Sequence, residues 1–156
     1  MKRLILAVLL AALAGVVAFF GLDFSSRDAT SSMLDPDDPE KVALGDGIYT
    51  KHCAACHGAD LMGEPDWRQE LPEGGVPAPP HDETGHTWHH DDQLLFDYTK
   101  KGGEAVVGSR FKSNMPGFGD QLSDDEIWAV LSYIKSLWPE EIREMHNQRN
   151  TAGRGD

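Results

Sequence analysis

Cys53-Ala54-Ala55-Cys56-His57 is the stretch on which the architecture of this 156-residue chain turns. Two thiols three positions apart, followed at once by an imidazole, suit the covalent attachment of a haem. The thiols can reach two vinyl groups on one porphyrin edge and form thioethers, while the histidine projects beneath the ring toward the iron. Other readings of paired cysteines fail on context. A zinc ribbon needs a second C-x-x-C, and a thioredoxin-like redox pair needs a βαβ surround; the sequence has neither. The chain holds two cysteines in all, so no disulfide framework is available. The motif therefore predicts one haem c, held by Cys53 and Cys56, with His57 as the first axial ligand of the iron.

Working outward, Asp38-Pro39 pairs a capping residue with a proline at the first helical position, which predicts a helix from there to about Cys53. Val42, Leu44, Ile48 and Tyr49 are its apolar residues. A middle helix is expected from about Asp91 to Lys101, with Leu94, Leu95 and Tyr98, stopping at Gly102-Gly103. Ser123-Asp124-Asp125-Glu126 is a capping box, and Ile127, Val130, Leu131, Ile134 and Leu137 follow at helical spacing up to Pro139. No strand pattern and no repeat stands out. Residues 61–90 carry Pro65, Pro72, Pro77, Pro79 and Pro80 with little periodicity. A structureless stretch of that length is uncommon unless it wraps something, and three short helices bury too little area to hold it. The haem is expected to complete the core.

Met33, Met62, Met115, Met145 and the remaining histidines are the choices for the second axial ligand. Met62 is five residues from His57, too near to cross to the opposite face of the ring. Met33 lies in a polar stretch, and Met145 in the polar tail. Met115 sits in Asn114-Met115-Pro116-Gly117-Phe118-Gly119, just before the last helix, where Pro116 biases it to extended backbone. A thioether there is a soft neutral ligand that favours Fe(II).

From about Gly45 to Trp138 the chain resembles a class I c-type cytochrome of the bacterial mono-haem kind. The matching residues are Gly45-x-x-x-Tyr49, Cys53-Ala54-Ala55-Cys56-His57-Gly58, Met115-Pro116-x-Phe118 and the last helix with Tyr133. The resemblance implies an all-α cytochrome c fold, three to four short helices with long loops wrapped around a covalent haem. It implies that the first and last helices cross at Gly45, with Tyr49 and either Trp128 or Tyr133 packed there. It also implies a proline whose carbonyl accepts the axial histidine's N–H; Pro79 is the best match, with Pro80 the alternative. The family usually has an apolar residue where His81 falls.

His81, His86, His89 and His90 lie within ten residues, beside four acidic side chains. One or two of them, with Trp88, are expected to meet the haem propionates. A second copper or zinc site drawn from His86, His89 and His90 is the sharper alternative.

Lys2 and Arg3 precede nineteen uncharged residues, Leu4 to Leu22. As a helix these span about 28 Å, close to a bilayer's hydrocarbon thickness. The positive-inside rule then places everything after Asp23 outside the cytoplasm. An uncleaved anchor is preferred to a cleaved signal, because cleavage after Ala14 would leave an apolar Val16-Val17-Ala18-Phe19-Phe20 end. The expected organisation is an anchor or signal over 1–22, a flexible tether over 23–38, the haem domain over 39–139, and a polar tail over 140–156 that is either frayed helix or disordered. The expected location is the periplasmic side of the bacterial inner membrane, or the soluble periplasm after cleavage.

The chain has 26 acidic and 14 basic residues, a net charge of −12. This excludes the cationic surface that nucleic-acid binding needs. It suits a redox partner with a cationic docking face, such as an oxidase, reductase or dehydrogenase subunit. No serine elbow, phosphate loop or H-E-x-x-H occurs. Electron transfer rather than catalysis is the expectation, either by a tethered carrier or by a relay subunit of a larger complex. A haem-based ligand sensor or enzyme with an open sixth position is the rival from another class.

Overall fold

The computed structural model describes residues 33–108 and 112–152. The expected anchor over 1–22, the first part of the tether and the last residues of the tail lie outside the described residues. In chain order the elements are α1 (Pro39–His52), α2 (Ala54–His57), a 3-10 turn (Thr87–His89), α3 (Asp92–Lys101), α4 (Gly103–Val107), α5 (Asp124–Ser136) and α6 (Glu140–Ala152). The described residues contain helices and loops and no strand. The sequence predicted three to four helices; α2 and α4, of four and five residues, are too short to show a period.

The helix starts follow their caps. The Asp38 carboxylate accepts from the backbone N–H groups of Glu40 and Lys41, at 2.9 and 3.2 Å, with Pro39 next to it. At α5 the Ser123 hydroxyl and the Glu126 carboxylate close the expected capping box. Helix α1 buries Gly45, Ile48 and Tyr49, an i, i+3, i+4 stripe, against α5. A Cβ on Gly45 would fall on the Ala129 carbonyl oxygen and 2.7 Å from the Tyr133 Cβ, so the two helices cross backbone to backbone. Tyr133 is the aromatic that meets Tyr49, at 5.5 Å between ring centroids. Trp128 instead stacks on Phe96 of α3, at 4.4 Å and 18°. Ile127, Val130, Leu131 and Ile134 of α5 complete a core shared with Leu95, Leu122 and Trp138.

Both ends depart from the expectation. Leu34, placed by its polar surroundings in the tether, is 1% exposed, and the Asp35 N–H donates to the Ser132 hydroxyl at 2.9 Å. Met33 and Leu34, side by side in a polar run, leave no period to read. Residues 140–152, expected as either a frayed helix or disordered, form α6 and pack on the 3-10 turn. Ile142 packs against the core, and the other contacts that hold α6 are largely polar. The Asn150 amide oxygen accepts the Asp92 N–H at 2.8 Å and its nitrogen donates to the Asp92 carboxylate at 3.0 Å, so α6 satisfies an otherwise open donor at the start of α3. Lys135 donates to Asn147 at 2.6 Å. His146 is fully buried, edge-on to Trp138 at 5.1 Å and 3.6 Å from the Asp92 carboxylate.

Burial, reinforced by the Lys135 cation, pushes the His146 pKa down to about 4 against the partial opposition of the His90 backbone and Asp91. An unfolded chain binds that proton near 6.5, so between 6.5 and about 4 the unfolded state holds more protons and acidification favours it. Melting temperature is therefore expected to fall as pH drops through this window, and His146→Gln should flatten part of the slope. Melts recorded from pH 7 to pH 4 check this; an identical slope in the variant would place the proton elsewhere.

Candidate haem site

Cys53 closes α1 and opens α2, so the C-x-x-C-H motif forms one tight turn. The His57 and Cys56 N–H groups both donate to the Cys53 carbonyl, at 2.9 and 3.1 Å. Both thiols are free, Cys53 half-buried against the core and Cys56 exposed. Burial, and secondarily Cys56, pushes the Cys53 thiol up to about 11, away from the lowered value of a reactive redox thiolate. The Tyr49 hydroxyl donates to the Gly58 carbonyl at 2.9 Å, tying the end of the motif to α1.

His57 is 7% exposed, and its Nδ1 lies 2.8 Å from the Pro79 carbonyl oxygen. A carbonyl only accepts, so Nδ1 carries the proton and Nε2 keeps a lone pair. Burial holds the imidazole pKa below its ordinary value, partly opposed by the Pro79 bond, which keeps it in the neutral, ligating form. Oriented this way, with two free thiols on the adjoining turn, the donor set fits a haem c.

The Pro79 carbonyl is itself held by a clamp that sequence reasoning missed. Glu64 N–H donates to the Ala78 carbonyl at 2.9 Å, and the Glu64 carboxylate accepts the Ala78 N–H at 2.7 Å. His81 N–H donates to the Leu61 carbonyl at 2.8 Å. Between these bonds Gly63, at φ +68°, lies flat on the proline segment; a Cβ there would sit 2.6 Å from the Ala78 oxygen and the Pro80 nitrogen. The Gly63 N–H also donates to the His57 carbonyl at 2.8 Å. A lone glycine ahead of a proline-rich run was the available signal.

Met115 lies on a loop fastened to the end of α3. Gly103 N–H donates to the Met115 carbonyl at 3.2 Å, Phe118 N–H to the Thr99 carbonyl at 2.9 Å, and Gly119 N–H to the Lys100 carbonyl at 3.0 Å. Met115 is half-buried and lines a cavity of about 480 Å³ with Ser113, Asn114, Pro116 and the Lys101–Ala105 backbone turn; Cys53, Cys56 and His57 do not line it. The same loop approaches the motif through Phe118, whose ring meets His52 edge-on at 6.0 Å. Lys112 donates to the Glu73 carbonyl at 2.6 Å, joining the Met115 loop to the loop that follows the motif.

The remaining histidines do not converge on one point, although the His86 and His90 rings meet edge-on at 5.4 Å. His86 stacks on Trp67, His89 packs on Trp88, and His90 stacks on Tyr98. No group of three metal-ligating side chains occurs among the described residues, so the second metal site drawn from His86, His89 and His90 is not assembled. Trp88 packs against the core and donates its indole N–H to the Glu83 carbonyl at 3.3 Å. His81 is the exception, stacked directly on His57.

An all-helical chain with two free thiols and a carbonyl-oriented histidine on one turn defines a haem-binding domain. The chain belongs to the cytochrome c family, whose model matches residues 42–138. As a member it has the domain to which haem c is bound covalently. It is 25% identical over 138 residues to a gluconate 2-dehydrogenase cytochrome c subunit of Pantoea cypripedii, covering 78% of this chain and 28% of that one. It is 28% identical over 133 residues to the cbb3-type cytochrome c oxidase subunit CcoP of an Azospirillum species, covering 79% and 40%. The chain thus spans well under half the length of these two relatives. Among solved structures, cytochrome cL of Methylophaga aminisulfidivorans shares the fold with a TM-score of 0.51, at 16% identity and 82% coverage of each chain.

Proposed function

We propose that this chain moves single electrons through one haem c, attached at Cys53 and Cys56 and bound axially by His57 and Met115. The observation that carries the reading is the 2.8 Å bond from His57 Nδ1 to Pro79, which leaves Nε2 as the donor atom. A bound haem supplies a one-electron Fe(III)/Fe(II) couple. The chain's own residues do the rest: Pro79 fixes the imidazole, the α3 carbonyls hold the Met115 loop in place, and Pro79 and Trp88 form part of the pocket wall. With both axial positions filled, ligand exchange is small and reorganisation slight. One C-x-x-C-H motif argues for one haem.

Residues 1–22 are assigned as an export segment that tethers the domain on the periplasmic side of the membrane, through the polar stretch that follows. The apolar run and its two preceding cations support this; among the described residues no helix is long and apolar enough to cross a membrane. The negative charge suits a cationic partner face. A second reading, a fixed relay within a larger complex, is favoured by the relatives' names, a dehydrogenase subunit and an oxidase subunit. It has the same spectrum but predicts co-purification with partner subunits.

Optical spectra of the haem-matured chain, oxidised, reduced, and reduced under carbon monoxide, test the ligation. A low-spin spectrum indifferent to carbon monoxide is expected, together with a thioether–iron signature in the oxidised form. Met115→Ala should keep the covalent haem, lose that signature, and bind carbon monoxide readily on reduction. A signature that survives in Met115→Ala would overturn the assignment, and rapid carbon monoxide binding by the unmodified protein would favour a sensor or enzyme.

A further inference from the structure

We infer that His81 is a positioning residue for His57, holding the plane of the axial imidazole by a face-to-face stack and thereby tuning the potential of the iron. The inference deepens the ligation proposed above and rests on His57 being an axial ligand.

The two imidazoles lie 3.9 Å apart between centroids, at 24°. A single hydrogen bond to Pro79 fixes one atom of the His57 ring but leaves the ring free to rock about that bond. A second plane stacked against it removes this freedom, provided the second ring is itself held. His81 is held from three directions. Its N–H donates to the Leu61 carbonyl at 2.8 Å, and its carbonyl accepts the Trp138 indole N–H at 2.7 Å. Its ring Nδ1 lies 2.8 Å from the Thr87 hydroxyl. Thr87, in the 3-10 turn, is 6% exposed, and its hydroxyl is 3.4 Å from the Pro80 carbonyl. The Tyr49 ring closes the other edge of the pocket at 6.2 Å. The clamp loop and Trp138 hold the His81 backbone, and Thr87 of the 3-10 turn holds the ring itself, so the plane that meets His57 is fixed through Thr87.

A polar, polarisable ring beside the axial ligand stabilises the more highly charged Fe(III) state relative to an apolar side chain. Leucine at this position offers neither a plane for His57 nor a partner for Thr87.

The test uses the haem-matured full chain and two readouts, the reduction potential and the ferric low-spin electron paramagnetic resonance spectrum. His81→Leu is expected to retain covalent haem but raise the potential. At a fixed ambient potential its oxidised-to-reduced ratio should fall about threefold, equivalent to about 30 mV at 59 mV per tenfold. Its g-values should shift as the imidazole plane turns. Thr87→Val, close in volume but lacking the hydroxyl, should move both readouts the same way by less, and Thr87→Ser should restore them. If His81→Leu fails to mature, the Thr87 pair decides alone. Unchanged potential and g-values in the variants would overturn the inference, as would a Thr87→Val shift that Thr87→Ser shares in full. A wild-type spectrum without low-spin histidine ligation would instead overturn the parent reading, a result visible before any variant is made.

Discussion

Cys53→Ala combined with Cys56→Ala is expected to abolish haem that survives acidic solvent extraction and, with it, the cooperative unfolding transition. The described residues have four longer helices, α1, α3, α5 and α6, while residues 58–86 and 112–123 are irregular loop. Domains are stable by only about 5–15 kcal/mol, so loss of a large apolar group that such loops wrap is enough to unfold one. Both cysteines are replaced because, on the proposed attachment, either sulfur alone would keep the haem local to His57; Cys53 is half-buried against the core and Cys56 lies exposed. Cys56→Ala is accordingly expected to retain covalent haem and a cooperative melt. Haem quantified after extraction, together with circular dichroism melts, checks both variants. A double variant that melts cooperatively within a few degrees of the parent would mean that the protein core stands without its cofactor.

Gly45→Ala and Gly47→Ala, two residues apart on α1, are expected to move stability in opposite directions. At Gly45 the new Cβ falls on the Ala129 carbonyl oxygen and against the Tyr133 Cβ. Neither can yield without parting α1 from α5, which places the change among the overpacking substitutions, about 3 kcal/mol or about 10 °C in melting temperature. Gly47 has nothing within 4 Å of its own Cβ position. There the substitution only replaces a poor helix former by the best one, a gain of about 0.5–1 kcal/mol. Helix propensity alone predicts a gain at both sites, so a loss confined to Gly45 isolates the crossing. Equal gains would show that α1 is not seated on α5 as described.

The features legible in the sequence were those written as local chemistry. Asp38-Pro39 and Ser123-x-x-Glu126 announce helix starts because capping is decided within four residues. Cys53, Cys56 and His57 announce the haem because their spacing has one economical chemical use. Pro79 could be identified only through resemblance, since nothing local says that a carbonyl 22 positions away will meet His57. Helix α6 was illegible for a related reason. Beside Ile142, its attachment runs through Asn150 and the buried His146, polar residues in a polar stretch, and hydrophobic periodicity is silent about such contacts. The histidines misled in the opposite way. Closeness along the chain suggested a three-histidine site, but Trp67, Trp88 and Tyr98 each pack on one ring, and only His86 and His90 still meet, edge-on at 5.4 Å.

The pairing of α1 with α5 also governs when the domain can form. Helix α1 ends at His52 and its main partner does not begin until Asp124, so neither can bury its apolar stripe before the other has been made. Closing so long an intervening segment is slow compared with forming a local hairpin of helices. Throughout that interval Cys53 and Cys56 sit on an undocked turn, open to whatever attaches the haem. The α1–α5 pair therefore depends on a segment made late in the chain, and the turn that carries Cys53 and Cys56 has no α5 beside its neighbouring helix until then.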